Sequence, residues 1–239
     1  TEAGVSTAEA RVMLDALEAD THRALEVGYS TNLIVHAFAH SARKVGVGPE
    51  LTTPFFHSMR MDLSETTHTP ESFAEYVYGS AEVIGLMCLQ AFVEGHVVSP
   101  RDKDTMVLGA RALGAAFQKV NFLRDLGADA QALGRSYFPD VVVAELDDVT
   151  KDRLLDDIDA DLALSAAALP LLPPGPRRAV SLAHTLFEAL ARRIRATPAG
   201  VLQTTRISVP TSLKLFLAVR AMLGYVPRSS LSVRKVSHV

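Results

Sequence analysis

The chain has 239 residues, 48% of them hydrophobic, which is enough apolar material for one large core in a single domain spanning 1–239. A net charge of −3 gives no sign of a nucleic-acid partner, and the single cysteine, Cys88, excludes an internal disulfide and suits a reducing, cytoplasmic compartment. No stretch reaches the roughly 18 consecutive apolar residues of a membrane-crossing helix, and the polar N-terminus has no signal-peptide pattern.

The apolar residues recur at helical periods almost throughout. Ser6 or Thr7, with Glu9 placed for a capping box, opens a predicted helix to Val27. Further helices are predicted over Ser30–Val45, ending at Gly46, and over Thr52–Leu63, begun by Thr53-Pro54. Pro70-Glu71 begins a long helix through Phe92 that stops at Gly95. Pro100 begins the next, which runs to Leu133 and ends at Gly134. Thr150–Leu169 is helical, and the prolines from Pro170 to Pro176 break the chain. Helices follow over Arg177–Ala196 and from Pro210-Thr211 to Tyr225, so the fold class is all-α.

One stretch carries chemistry. Gln118, Asn121, Asp125 and Asp129 lie on the Pro100 helix within about 80° of one another, at roughly 100° per residue. Neighbouring carboxylates repel, and a hard cation held through oxygen is the usual compensation, which points to magnesium and through it to phosphate. The same face carries Arg111, Gly114 and Ala115 on earlier turns, small residues that leave room for a ligand. Arg124 points away from the stripe and is expected to make a structural ion pair. Two further aspartate pairs, Asp152 with Asp156 and Asp157 with Asp161, lie in a segment charged on several sides and are expected to face solvent. His36 and His40, one turn apart, lack a third ligand and are not read as a zinc site. Gly46-Val47-Gly48 follows no strand and is no dinucleotide loop.

Phe117-Gln118-Lys119-Val120-Asn121-Phe122-Leu123-Arg124-Asp125, then Asp129, then Gly134-Arg135-Ser136-Tyr137-Phe138-Pro139, resembles the Q-x-x-N-x-x-R-D-x-x-x-D helix and G-R-x-Y-x-P loop of the squalene/phytoene synthase family. Met59–Leu63 and Tyr76–Gly85 resemble two further segments of that family, and the likeness is greatest to its actinobacterial phytoene synthase branch. The resemblance is strong from Phe56 to Pro139 and collinear to Tyr225.

That resemblance implies an isoprenoid synthase-type helical bundle around a central apolar cavity. It implies magnesium-dependent head-to-head condensation of two geranylgeranyl diphosphates to phytoene, through a cyclopropyl diphosphate, in carotenoid biosynthesis. Asp125, Asp129 and Asn121 would hold Mg2+, or Mn2+ in its place; Gln118 would orient metal or diphosphate. Arg135 would hold phosphate oxygens and Tyr137 would add a hydroxyl donor. Tyr78 would steady a carbocation or assist proton loss. Ala81 and Gly85, expected to share one face with Tyr78, Glu82 and Leu89, would line the prenyl channel, so enlarging either should favour shorter chains. Glu82 would pair with Arg60, bind a metal or point elsewhere. Asp125→Asn should abolish turnover with little loss of folding, since it removes one of two repelling charges.

The family's earlier D-x-x-x-D helix has no counterpart here. Asp15, Glu18 and Asp20 are wrongly spaced for it, and Thr1 is expected to begin just beyond it. Squalene, dehydrosqualene or presqualene diphosphate synthesis from farnesyl diphosphate is the alternative reaction, and NADPH is not expected. A non-catalytic assembly or lipid-binding relative is the alternative of another class. The apolar Leu213–Tyr225 stretch, followed by Arg228, Arg234 and Lys235, raises the expectation of peripheral membrane association. Oligomeric state is not read from the sequence.

Overall fold

The computed structural model describes residues 4–133 and 135–228, with the side chains of 128–133 outside the description. Ten helices stand among the described residues: α1 (Thr7–Val27), α2 (Leu33–Val45), α3 (Pro49–Ser64), α4 (Pro70–Val77), α5 (Val83–Val93), α6 (Pro100–Leu133), α7 (Asp148–Ala168), α8 (Pro174–Arg195), α9 (Ala199–Leu202) and α10 (Thr211–Met222). The only β pairing among them is an isolated bridge between Thr67 and Ser136. The all-helical expectation therefore holds.

The helix starts follow capping chemistry. Ser6 and Glu9 form the capping box of α1, and Gly28 closes that helix in the left-handed region. Asn32, not Ser30, caps α2, because its side chain accepts from Ile34 N and Val35 N. α3 starts three residues before the sequence reading placed it. Pro49 fits the first turn, where its missing N–H is harmless, and Pro54 is carried inside the helix. The short α9 was not expected from the sequence.

The predicted Pro70–Phe92 helix is interrupted. Tyr78–Glu82 forms a π-helical turn between α4 and α5, inserting one residue into the repeat. By length and composition alone, Pro70–Val93 is apolar enough to cross a membrane, although it holds no run of 18 consecutive apolar residues. Here it packs against α3 and α6, with Val83 fully buried.

α6 is the central helix and contacts α5, α7, α8 and α9. Val120, Leu123 and Ala116 from it are fully buried and meet Leu155 and Ile158 of α7 and Ile194 of α8. Glycines let its neighbours approach closely. A Cβ on Gly114 would stand 2.5 Å from Ala81 O, one on Gly85 2.3 Å from Ala110 O, and one on Gly127 2.1 Å from Gln203 O. No side chain fits at these distances.

Candidate functional site

An apolar cavity of about 470 Å³ lies between α5, α6, α7 and α8. Ala81, Ile84, Gly85 and Leu89 form one wall, Leu113, Gly114, Phe117 and Gln118 the next, and Leu169, Val180 and Ala183 the side opposite. Phe117 of α6 stacks on Phe187 of α8, with ring centroids 3.8 Å apart. Cys88 is exposed and lines the same space.

Gln118 is where the lining turns polar. One turn on, Asn121 has its Oδ1 buried without a hydrogen-bond partner. One turn further, the Asp125 carboxylate accepts from Arg124 at 2.5 and 3.1 Å and from Arg206 Nε at 2.6 Å. Burial alone would raise the Asp125 carboxyl, yet these two guanidinium groups together hold it below its ordinary value. Asp129 continues α6, but its side chain lies outside the described residues, as does Gly134.

These contacts correct two expectations. The charge at Asp125 is already compensated by arginines, so the repulsion argument alone does not require a cation. Arg124 does make an ion pair, but with Asp125 itself rather than away from the stripe. Arg206 was missed because it lies 81 residues along the chain, on the connection before α10, and nothing local marks it.

Tyr78 departs from expectation, and Glu82 takes the third of the courses left open for it, pointing elsewhere. The π turn divides the expected single face in two. Ala81, Gly85 and Leu89 line the cavity. Tyr78 instead packs among the α2–α3 core residues, beneath the Arg111 guanidinium at 5.3 Å from its ring centroid. Glu82 pairs with Arg111 at 2.6 Å, while Arg60 pairs with Asp15 (2.7 Å) and Glu18 of α1. Among the described residues, Tyr78 is not part of the cavity wall. Gly85 is a contact point between helices as much as a lining residue, since its missing Cβ would strike the α6 backbone.

The loop after α6 is tied back to α3. Arg135 donates to the Asp62 backbone carbonyl at 2.5 Å, to the Asp62 carboxylate at 3.4 Å and to the Tyr137 hydroxyl at 3.3 Å. Tyr76 donates its hydroxyl to Asp62 at 2.9 Å. The Tyr137 ring stacks on Phe122 with centroids 4.1 Å apart. Burial raises the Asp62 carboxyl and the Tyr76 hydroxyl and lowers the neighbouring His68. In this arrangement Arg135 is engaged with Asp62 and Tyr137 with Phe122, and Asp62 is the partner the sequence did not disclose.

Asp152, Asp156 and Asp157 of α7 face solvent as expected while Asp161 is largely covered, and several α7 aspartates also make ion pairs. Lys119 bonds Asp157 and Asp161, the latter at 2.8 Å, and Arg195 bonds Asp156 at 2.8 Å and Asp159 at 3.0 Å.

Residues 2–212 match the squalene/phytoene synthase family. The chain belongs to that family. It is 28% identical over 200 residues to the 15-cis-phytoene synthase of Enterobacter agglomerans, an alignment covering 76% of this chain and 65% of that protein. It is 27% identical over 194 residues to the farnesyl diphosphate phosphatase YisP of Bacillus subtilis, covering 76% and 70%. The crystal structure of squalene synthase HpnC from Alicyclobacillus acidocaldarius superposes with a TM-score of 0.66 at 21% identity, over 77% of this chain and 72% of that one. That likeness establishes the isoprenoid synthase fold. The chain thus spans just under two thirds of the length of the Enterobacter family member.

Proposed function

We propose that this family member acts in a prenyltransferase that joins two prenyl diphosphates head to head, with geranylgeranyl diphosphate as substrate and phytoene as product. The observation that carries the reading is the junction at Gln118, where an apolar cavity meets a polar stripe of amide, carboxylate and guanidinium groups. A prenyl diphosphate has the matching halves, a long apolar chain and a charged head.

The Asn121 oxygen, buried and unpartnered, and the Asp125 carboxylate one turn on are hard donors of the kind magnesium takes. Among the described residues, no three His, Cys, Asp or Glu side chains gather as a metal site, so these two would hold the ion with other oxygen donors. Magnesium, when bound, supplies positive charge against a leaving diphosphate. Arg124 and Arg206 add guanidinium donors beside the same position. The walls of Ile84, Leu113 and Phe117 exclude water from an allylic cation formed as the diphosphate departs.

The farnesyl reading is retained as a second one, favoured by the farnesyl diphosphate phosphatase among the relatives. The test is product analysis of the full-length protein with magnesium, offered geranylgeranyl or farnesyl diphosphate, with and without NADPH. A forty-carbon phytoene supports the first reading and a thirty-carbon product the second. Diphosphate release from neither substrate overturns both and leaves a non-catalytic relative.

A further inference from the structure

α10 is apolar on two opposite faces. Its inner face, Leu213, Leu217 and Ala221, packs toward α8 and the core. Its outer face carries Leu215, Phe216, Val219, Met222 and Leu223, all exposed, Leu223 at 82%. On a helical wheel those five fall within about 120°, opposite the buried face. Lys214 and Arg220 stand on its two flanks. The Arg220 guanidinium lies 3.7 Å from the Tyr225 ring centroid and 5.6 Å from that of Phe216, so its stem follows the apolar face while its charge remains at the border.

The C-terminal stretch of the sequence carries one sign of charge. No Asp or Glu follows Glu188 in the sequence, while Arg192, Arg193, Arg195, Arg206, Lys214, Arg220, Arg228, Arg234 and Lys235 do. Some of these are spent on partners within the fold: Arg192 on Glu188, Arg195 on the α7 aspartates and Arg206 on Asp125. The remainder make this end of a chain of net charge −3 locally basic. Val12 and Met13, exposed on α1, stand on a helix that also bears Glu9, Asp15, Glu18 and Glu26, so no such bias accompanies them.

We infer that the outer face of α10 docks on an anionic lipid surface. Its apolar stripe would enter the boundary between headgroups and acyl chains, with Lys214, Arg220 and Arg228 among the phosphates. A second copy fits less well, because a two-fold contact between α10 helices would set these same cations against one another. The position also suits exchange of apolar molecules. Val226, directly after α10, packs on the cluster of Leu89, Met106, Leu169 and Leu172, and those four residues line the cavity. The docking face and the inner end of the cavity are therefore neighbours. The docking does not depend on the proposed reaction; only its use for passing prenyl chains does.

The test is co-sedimentation of the full chain with vesicles of phosphatidylcholine, alone or with about a third phosphatidylglycerol, without substrate or magnesium. Binding is expected to the mixed vesicles, to weaken in about 0.5 M salt, and to fall by about tenfold or more in the Phe216→Ser, Leu223→Ser double variant. Leu215→Ser should lower it by a smaller factor. All these positions are exposed, and circular dichroism and melting temperature should match the parent chain. No binding by the parent, or undiminished binding by the double variant, overturns the inference. So does a solution dimer that the double variant dissociates, which would assign the face to a second copy. Because the assay involves no turnover, its failure is separable from failure of the prenyltransferase reading.

Discussion

Arg206 Nε stands 2.6 Å from Asp125 Oδ1, linking the segment before α10 to the polar stripe of α6 across 81 residues of chain. Together with Arg124 it makes the Asp125 charge an asset to the fold. Asp125→Asn should therefore destabilise by about 1 kcal/mol in urea unfolding rather than stabilise, a modest loss because solvent screens the well-exposed Arg206. The same variant should lose magnesium-dependent diphosphate release. Since the folded carboxyl titrates below its ordinary value, its contribution is present at neutral pH and is lost as pH falls through that lowered value. Retained turnover would remove Asp125 from the metal role, and a gain in stability would remove it from the structural one.

Gly85→Ala should act on stability and not on chain length. The added Cβ would meet Ala110 O at 2.3 Å, and backbone must yield to admit it. A loss of about 1–3 kcal/mol is expected. A folded, equally stable variant with altered product length would instead place that carbon in the cavity.

Ala183 lines the cavity from α8, and leucine there is an equally good helix former. Ala183→Leu should shorten the space and shift the ratio of turnover toward farnesyl over geranylgeranyl diphosphate. Competition between the two substrates in one tube reads this directly, and an unchanged ratio would put the prenyl chain elsewhere.

His184 is buried on α8, with its Nε2 bonded to Leu162 O at 2.9 Å and its Nδ1 unpartnered. Burial lowers its pKa from the ordinary 6.5, so the folded chain keeps it neutral where the unfolded chain takes up a proton. Stability should then fall as pH drops below about 6.5, by at most roughly 1.4 kcal/mol per pH unit for this one proton. His184→Gln, which keeps a donor for Leu162, should flatten the melting-temperature profile between pH 6.5 and about 5. An identical slope in parent and variant would assign the acid sensitivity to other groups, His68 among them.

The helices were legible where chemistry is local. Ser6 with Glu9, Pro70 and Pro100 marked three starts that the structure keeps. The cavity wall was half legible: Ala81 and Gly85, read as lining residues, do border a cavity, but the π turn rotated Tyr78 and Glu82 away, and a single inserted residue leaves no trace in periodicity. Long-range charge pairing was not legible. Glu82 found Arg111 instead of Arg60, and Asp125 found Arg206, because which cation reaches a carboxylate is decided by tertiary packing. Arg135 shows the same limit, its guanidinium directed at Asp62, 73 residues earlier.

The glycine contacts of α6 also bear on motion. At Gly114, at Gly127 and opposite Gly85 its neighbours touch it backbone to backbone, with no side chain between to change rotamer. Such seams slide or separate only by moving whole helices. The α5–α6 backbone seam should therefore behave as a stiff spine, while the space on its other side is bounded by α8 through side chains such as Phe187 and Val180, which can turn. Adjustment to guests of different length is thus expected to come from side-chain turns and from α8, with methyl and ring dynamics responding to ligand while the backbones of α5 and α6 stay still together.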